Sequence, residues 1–116
     1  MEDTKKLKLA LQKRFEQVSP QMLSKYFDSK NIGLIICPIC SSNDIGVPNA
    51  NNSGTEKPTP YVIPVKIDTE GPPFSFSNYE YRLICKNCSH TIHFAVWPIM
   101  KWIESESGLE EGYWND

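Results

Sequence analysis

The first thirty residues of the chain carry apolar side chains at helical spacing. The positions are Leu7, Ala10, Leu11, Phe15 and Val18, followed by Met22, Leu23, Tyr26 and Phe27. Intervals of three and four residues place each set on one helix face. Ser19 precedes Pro20 between the two sets, which ends one helix and favours a second that Ser19 caps. We therefore predict a helical hairpin that stops at Asn31 and Gly33.

Further along the chain, shorter apolar runs and alternating patterns predict strands. The run that leads into the first cysteine predicts a short buried strand, and a later one contains Pro64, which favours a sheet edge. The predicted strands cover residues 33–36, 61–67, 74–83 with a break near 77–78, and 91–96. Pro98 then fits the first position of a C-terminal helix whose apolar face carries Ile99, Trp102 and Ile103.

The segment from residue 46 to residue 73 has a different composition. Nine of its 28 residues are glycine or proline, and its first half is polar with little to bury. We expect a mobile loop over residues 47–60. The predicted organisation is a helical segment (1–32), a central module with the C-terminal helix (33–107) and an acidic tail (108–116).

Length and charge bound the protein class. The 116 residues, 40% of them apolar, predict one small globular domain. The net charge of −2 removes the argument for a strongly basic nucleic-acid binder. No apolar run exceeds four residues, the length of 34–37, which is too short to cross a bilayer, and the first residues lack a signal-peptide core. We expect a cytoplasmic protein with no membrane partner.

Four cysteines carry the strongest chemical signal. They form two pairs of identical spacing, Cys37-Pro38-Ile39-Cys40 and Cys85-Lys86-Asn87-Cys88, and the sequence has no others. A C-x2-C turn places two sulfurs on one side of a tight loop, so two facing turns supply four thiolates to a tetrahedral metal. Thiolates suit zinc or iron rather than magnesium or calcium. We predict one structural Zn2+ held by these four cysteines.

Other chemistries use the same residues. Two disulfides would suit a secreted protein, and a redox-active C-x-x-C pair would need a strand that leads into a helix at the motif. An iron centre of the rubredoxin kind also needs four thiolates. His90 and His93 follow the second pair and could replace a thiolate ligand, although four cysteines already complete a tetrahedron. We favour structural zinc, with both histidines outside the metal's coordination.

The two cysteine motifs, with strand-like sequence before each pair and after the second, resemble the zinc-ribbon superfamily over residues 34–96. The resemblance implies a small antiparallel sheet clamped by zinc, here with an N-terminal helical hairpin and a C-terminal helix in an α+β fold. Only the four cysteines carry over as ligands. Ser41 and Ser89 stand where many ribbons have glycine, and the 44 residues between Cys40 and Cys85 make a long interval.

The resemblance implies architecture more than function. A zinc ion with four thiolates has no open position for water or substrate, and no catalytic motif occurs, so we do not expect an enzyme. We predict an adaptor or regulator that binds another protein through aromatic side chains on the sheet. The alternative is a single-stranded DNA or RNA binder, and a homodimer stays open. The candidate contacts are Phe74, Phe76, Tyr79, Tyr81, Arg82, Lys86, His90 and Lys101.

Overall fold

Three helices and six short strands make up the described part of the chain, residues 2–51 and 58–106 of a computed structural model. The helices are α1 (Glu2–Phe15), α2 (Pro20–Ser29) and α3 (Val96–Glu106). The strands are β1 (Ile45–Gly46), β2 (Asn49–Asn51), β3 (Pro60–Val62), β4 (Pro64–Lys66), β5 (Tyr79–Cys85) and β6 (Thr91–Ala95). The structure confirms the predicted α+β class, with helices at the N-terminal and C-terminal ends of the described chain.

The boundary between α1 and α2 follows the local sequence. The Oγ of Ser19 accepts a hydrogen bond from the backbone N–H of Met22 at 3.1 Å, while Pro20 occupies the first turn of α2. After α2, Asn31 and Gly33 adopt positive φ angles of 60° and 63°, which turn the chain out of the helix. The predicted cap and stop are therefore both confirmed.

Strand β5 is the centre of the main sheet. It pairs antiparallel with β6 along one edge, and β4 and β1 follow one another along its other edge. Tyr81, Leu83 and Cys85 alternate as buried residues on β5, as the predicted period of two requires. Strands β2 and β3 form a separate antiparallel pair. The first part of the strand predicted at 74–83 is absent: residues 74–78 contain a turn and a single turn of 3-10 helix, Phe76–Asn78, and β5 begins at Tyr79.

The prediction of a buried strand at residues 33–36 is wrong. Leu34 is 65% exposed and Ile36 is 53% exposed, and the segment pairs with no strand in the described part of the chain. Gly33 turns the chain away from strand geometry. The cysteine end of β5 is already paired on both sides, by β1 and β6, so this segment does not pair with β5.

Two further predictions in the central segment need correction. The single strand expected at 61–67 is divided at Ile63, with β3 on one side and β4 on the other in different sheets. Ile63 instead donates its backbone N–H to the carbonyl of Pro48 at 3.1 Å. Within the expected mobile loop 47–60, β2 pairs with β3. Residues 52–57 and the tail 108–116 lie outside the described residues.

The hydrophobic core lies between the helices and one face of the main sheet. Its buried members are Leu11, Phe15, Val18, Leu23, Phe27, Val62, Phe76, Tyr81, Leu83, Val96, Ile99, Met100 and Ile103. Pro98 is the third residue of α3 rather than the first, still within the first turn. Within the described residues, no helix combines the length and apolar character needed to cross a bilayer.

Candidate metal centre

Two tight turns, which we call the first knuckle (residues 37–40) and the second knuckle (residues 85–88), meet at one end of the main sheet. The second knuckle begins at the last residue of β5, and the first precedes β1. Because β1 pairs with the end of β5, Ile45 lies opposite Cys85. The backbone N–H of Lys86 also donates to the carbonyl of Asp44 at 2.9 Å. This pairing holds the two knuckles against each other.

The four sulfurs form one compact cluster. All four Sγ atoms lie within 4.8 Å of one another, although the knuckles are far apart in sequence. The sulfurs of Cys37 and Cys88 are 3.6 Å apart, and so are those of Cys40 and Cys85. A tetrahedral zinc with bonds of about 2.3 Å separates its sulfurs by about 3.8 Å, whereas a disulfide needs about 2.0 Å. The spacing fits a shared metal ion.

The backbone of the two knuckles follows the same pattern. In the first knuckle Ser41 donates its N–H to the carbonyl of Cys37, and in the second Ser89 donates to Cys85, each at 2.9 Å. A second hydrogen bond closes each turn, from Cys37 to the carbonyl of Ser42 at 2.9 Å and from Cys85 to that of His90 at 2.8 Å. Identical spacing in the sequence thus produces identical turns.

The residue after each pair adopts a left-handed conformation. Ser41 has a φ angle of 65° and Ser89 one of 74°, in the region that glycine occupies most readily. These are the two positions where the sequence departs from the glycine of many ribbons. The turn geometry is kept, and the serine side chains make it more costly.

Hydrogen bonds at the sulfurs favour ionised cysteines in the first knuckle. Asn87 donates its side-chain N–H to the Sγ of Cys40 at 3.3 Å, and with the backbone of Ser42 it lowers the pKa of Cys40 to about 6. At Cys37, burial acts to raise the pKa, but backbone N–H donors, including that of Ile39 at 3.4 Å, lower it overall. The first knuckle is therefore prepared to bind a cation.

The last thiol behaves differently. At Cys88 the backbone N–H of His90 favours the thiolate, but burial and the three neighbouring sulfurs together raise the pKa of Cys88 to about 12. Four negative sulfurs this close repel one another unless a cation lies between them. The cluster therefore supplies a set of soft ligands whose full ionisation depends on a bound metal ion.

Neither histidine belongs to the described four-cysteine group. His90 contributes its backbone to the second knuckle, through its carbonyl. The side chain of His93 lies on the sheet surface and hydrogen-bonds the carboxylate of Glu80, which also pairs with Arg82 at 2.8 Å. These contacts, from Arg82 first and then His93, lower the pKa of Glu80.

The structure divides the predicted partner contacts into buried and accessible residues. Phe76 and Tyr81 are buried in the core, at 1% and 0% exposure, so neither ring has a face to offer a partner. Phe74 and Tyr79 are half-buried and lie in one cleft. The remaining candidates are spread over the surface: Arg82 pairs with Glu80, Lys86 pairs with Asp44 at 3.4 Å, His90 is half-buried and Lys101 is exposed on α3.

Sequence reasoning missed an apolar surface around the first knuckle. Leu34, Ile36 and Ile39 are 65%, 53% and 68% exposed, an unusual concentration of large aliphatic side chains. An adjoining cleft of about 270 Å³ lies between α2, residues 33–35 and β1, and no charged residue lines it. One signal was available: Ile39 lies between two ligands in a tight turn, where its side chain has no core to enter.

No protein-family model matches the chain, and comparison with curated proteins and with solved structures gives no match either. The function must therefore be inferred from the geometry of the chain's own residues.

Proposed function

We propose that this protein is a non-catalytic zinc-binding adaptor that binds another protein through the apolar surface around its first knuckle. The observation that carries the proposal is the position of Leu34, Ile36 and Ile39, exposed beside a four-cysteine cluster. Zinc is the metal that we assign, because it is the commonest structural occupant of four thiolates in a tetrahedral arrangement.

A structural role for the metal follows from the number of its ligands. Four thiolates complete the coordination of a tetrahedral ion, so no position is left for a reacting water. The redox alternative lacks its usual setting, since neither C-x-x-C pair leads into a helix: β1 follows the first pair and β6 the second. The centre would thus fix the shape of the surface around it.

The apolar surface suits a protein partner better than a nucleic acid. Burying a leucine or isoleucine side chain contributes about 1.5–3 kcal/mol, and interface centres are depleted of charge. The adjoining uncharged cleft could receive an apolar anchor from the partner. Nucleic-acid binding depends on phosphate neutralisation, and this surface offers no lysine or arginine in the cleft lining.

The test compares partner binding by two matched charge variants of the full-length, zinc-loaded chain. Leu34→Glu combined with Ile39→Glu introduces two charges into the surface, whereas Leu7→Glu combined with Leu9→Glu introduces two charges at aliphatic residues that are 53% and 62% exposed on α1. A partner obtained by affinity purification would be purified, mixed with each variant and titrated by calorimetry. We expect the Leu34→Glu, Ile39→Glu variant to weaken binding at least about tenfold and the α1 variant to leave it unchanged.

Two results would contradict the proposal. One is a purified partner that binds both variants as tightly as the original chain. The other is a chain that forms a dimer by light scattering and becomes a monomer only in the Leu34→Glu, Ile39→Glu variant, because the surface would then be covered by a second copy. Zinc content and circular dichroism of each variant confirm that the metal centre is intact.

A further inference from the structure

A second cleft lies between α1, the β3–β4 segment and the Pro73–Phe74 turn. Its volume is about 470 Å³, within the range of about 300–1,000 Å³ typical of small-molecule sites. It shares no lining residue with the uncharged cleft beside the first knuckle. Any ligand here would therefore bind independently of the proposed adaptor surface.

Aromatic rings form much of the cleft wall. Tyr61, Phe74 and Tyr79 line it together with the buried Phe15, whose ring centroid lies 5.1 Å from that of Tyr79. Hydrogen bonds hold two of the rings: the Tyr79 hydroxyl donates to the carbonyl of Pro73 at 2.7 Å, and the Tyr61 hydroxyl accepts from the amide of a helix α1 glutamine at 3.1 Å. Rings fixed in this way offer preformed surfaces for a flat aromatic ligand.

The charges in the cleft have one sign. Lys8 from α1 and Lys66 from β4 line it, and no aspartate or glutamate does. Among the side chains that the structure describes, those of residues 5–51 and 58–106, no carboxylate lies within 4.0 Å of either ammonium group. Glu16, the residue after α1, accepts a hydrogen bond from Gln12 at 3.1 Å. Two uncompensated ammonium groups beside apolar rings attract an anion, and lysine is a common ligand of phosphate.

We infer that this cleft binds a nucleotide, with the base against the rings of Tyr61, Phe74 and Tyr79 and the phosphate between Lys8 and Lys66. Stacking on aromatic side chains accepts any base, because every base presents a flat π face. The same chemistry is offered by a free nucleotide and by one nucleotide unit of a single strand. The lysines differ from the phosphate contacts predicted from sequence, which lie elsewhere on the surface.

The experiment titrates the full-length, zinc-loaded chain by calorimetry and by amide NMR. The probes are adenosine 5′-monophosphate, adenosine, inorganic phosphate and a short single-stranded oligodeoxyadenylate. We expect the monophosphate to bind at least about tenfold more tightly than adenosine or phosphate alone, because only the monophosphate uses both the rings and the lysines. Amide shifts should concentrate on α1, β3 and β4.

Matched variants distinguish binding in this cleft from attraction of the ligand to positive charge elsewhere on the surface. Lys8→Glu with Lys66→Glu should weaken nucleotide binding at least about tenfold. Lys13→Glu with Lys25→Glu changes the net charge equally at exposed helix positions outside the cleft, and should leave binding unchanged. Tyr61→Leu keeps an apolar side chain but removes the ring, and should weaken the monophosphate more than inorganic phosphate.

The outcomes distinguish a free nucleotide from a nucleotide unit of a single strand, and either from no nucleotide site. Tight binding of the free monophosphate that depends on Lys8 and Lys66 supports a nucleotide site, whereas lysine-dependent binding of the oligonucleotide alone supports a unit of a single strand. In the second case log K should fall with log salt at a slope of about −0.7, for the one phosphate held between the two lysines. The inference is overturned if neither probe binds at about 1 mM. It is also overturned if Lys8→Glu with Lys66→Glu leaves nucleotide binding unchanged.

Discussion

The two ends of the molecule are stabilised in different ways. At the helical end, α1, α2 and α3 bury a continuous set of apolar side chains, and the fold there depends on packing. At the knuckle end, large aliphatic side chains such as those of Leu34 and Ile39 point to solvent, and the ordering groups are four sulfurs and a few backbone hydrogen bonds. A metal ion can replace a core where too few residues are available to build one.

The difference has a functional consequence. Apolar side chains at the helical end are buried in the core, and exposing them would lower the stability of the fold. Around the knuckles, the four-sulfur cluster and backbone hydrogen bonds order the chain, and neighbouring apolar residues stay exposed. A metal-stabilised turn can therefore leave apolar side chains exposed that a packed core would bury.

The largest expected effect comes from removing the metal. Structural zinc contributes about 10–16 kcal/mol in small domains, comparable with the whole stability of a protein this size. We expect Cys85→Ser, or chelation of the original chain, to abolish hydrogen-exchange protection at residues 37–46 and 84–91. Because packing holds the helices, α2 and α3 should keep measurable protection and helical circular dichroism.

Re-addition of zinc to the chelated chain serves as the control and should restore protection at the knuckles. An apo chain with unchanged protection in both regions would contradict the metal's structural role. Simultaneous loss of protection in the helices would show instead that the two ends fold as one unit.

A smaller effect is expected at the helical end, where Arg14 and Glu104 join α1 to α3. Two hydrogen bonds connect the guanidinium to the carboxylate, at 2.9 and 2.6 Å, and the Glu104 side chain is only 1% exposed. Arg14→Met leaves this carboxylate buried without its cation, which costs about 3–5 kcal/mol. Urea denaturation measures the loss.

The matched control replaces both members of the pair, Arg14→Met with Glu104→Leu. Since an apolar pair needs no compensating charge, it should recover most of the stability. If Arg14→Met alone cost less than about 1 kcal/mol, the ion pair would not be a principal contact between α1 and α3.

The smallest effect has the opposite sign and lies in the knuckles. Ser41→Gly and Ser89→Gly remove a side chain from a left-handed position, and each should stabilise the protein by about 1 kcal/mol. Ser24→Gly, in α2, is the matched control: the same substitution at a helical position should destabilise by about 0.5 kcal/mol. Thermal unfolding of the zinc-loaded chains measures all three. Equal effects at the three positions would mean that the left-handed serines are not strained.

Local signals in the sequence predicted local structure well. Ser19 and Pro20 determined the start of α2 through a hydrogen bond and a fixed φ angle, and both act within a few residues. The alternation along β5 predicted which of its side chains face the core. The identical spacing of the cysteine pairs indicated a four-sulfur cluster, because few other arrangements use all four thiols.

The failures concern features that depend on distant residues. Residues 33–36 have the composition of a buried strand, but β1 and β6 occupy both sides of β5 at that end. Composition does not show which segments will take those two places. The sequence did not show which aromatic rings would be buried in the core. Phe76 and Tyr81 entered the core, whereas Tyr79 was left at the wall of a cleft.

The sequence alone determined the two N-terminal helices, the α+β class and the four-cysteine group, since each depends on residue type and short-range spacing. Tertiary structure decided which surfaces the protein offers. Pairing of β1 with the end of β5 brought the knuckles together and left the segment before Cys37 outside the sheet. Packing of α1 against β3 and β4 placed Lys8 and Lys66 beside the same rings. Both surfaces arise from contacts between residues far apart in the chain, which spacing along a sequence does not encode.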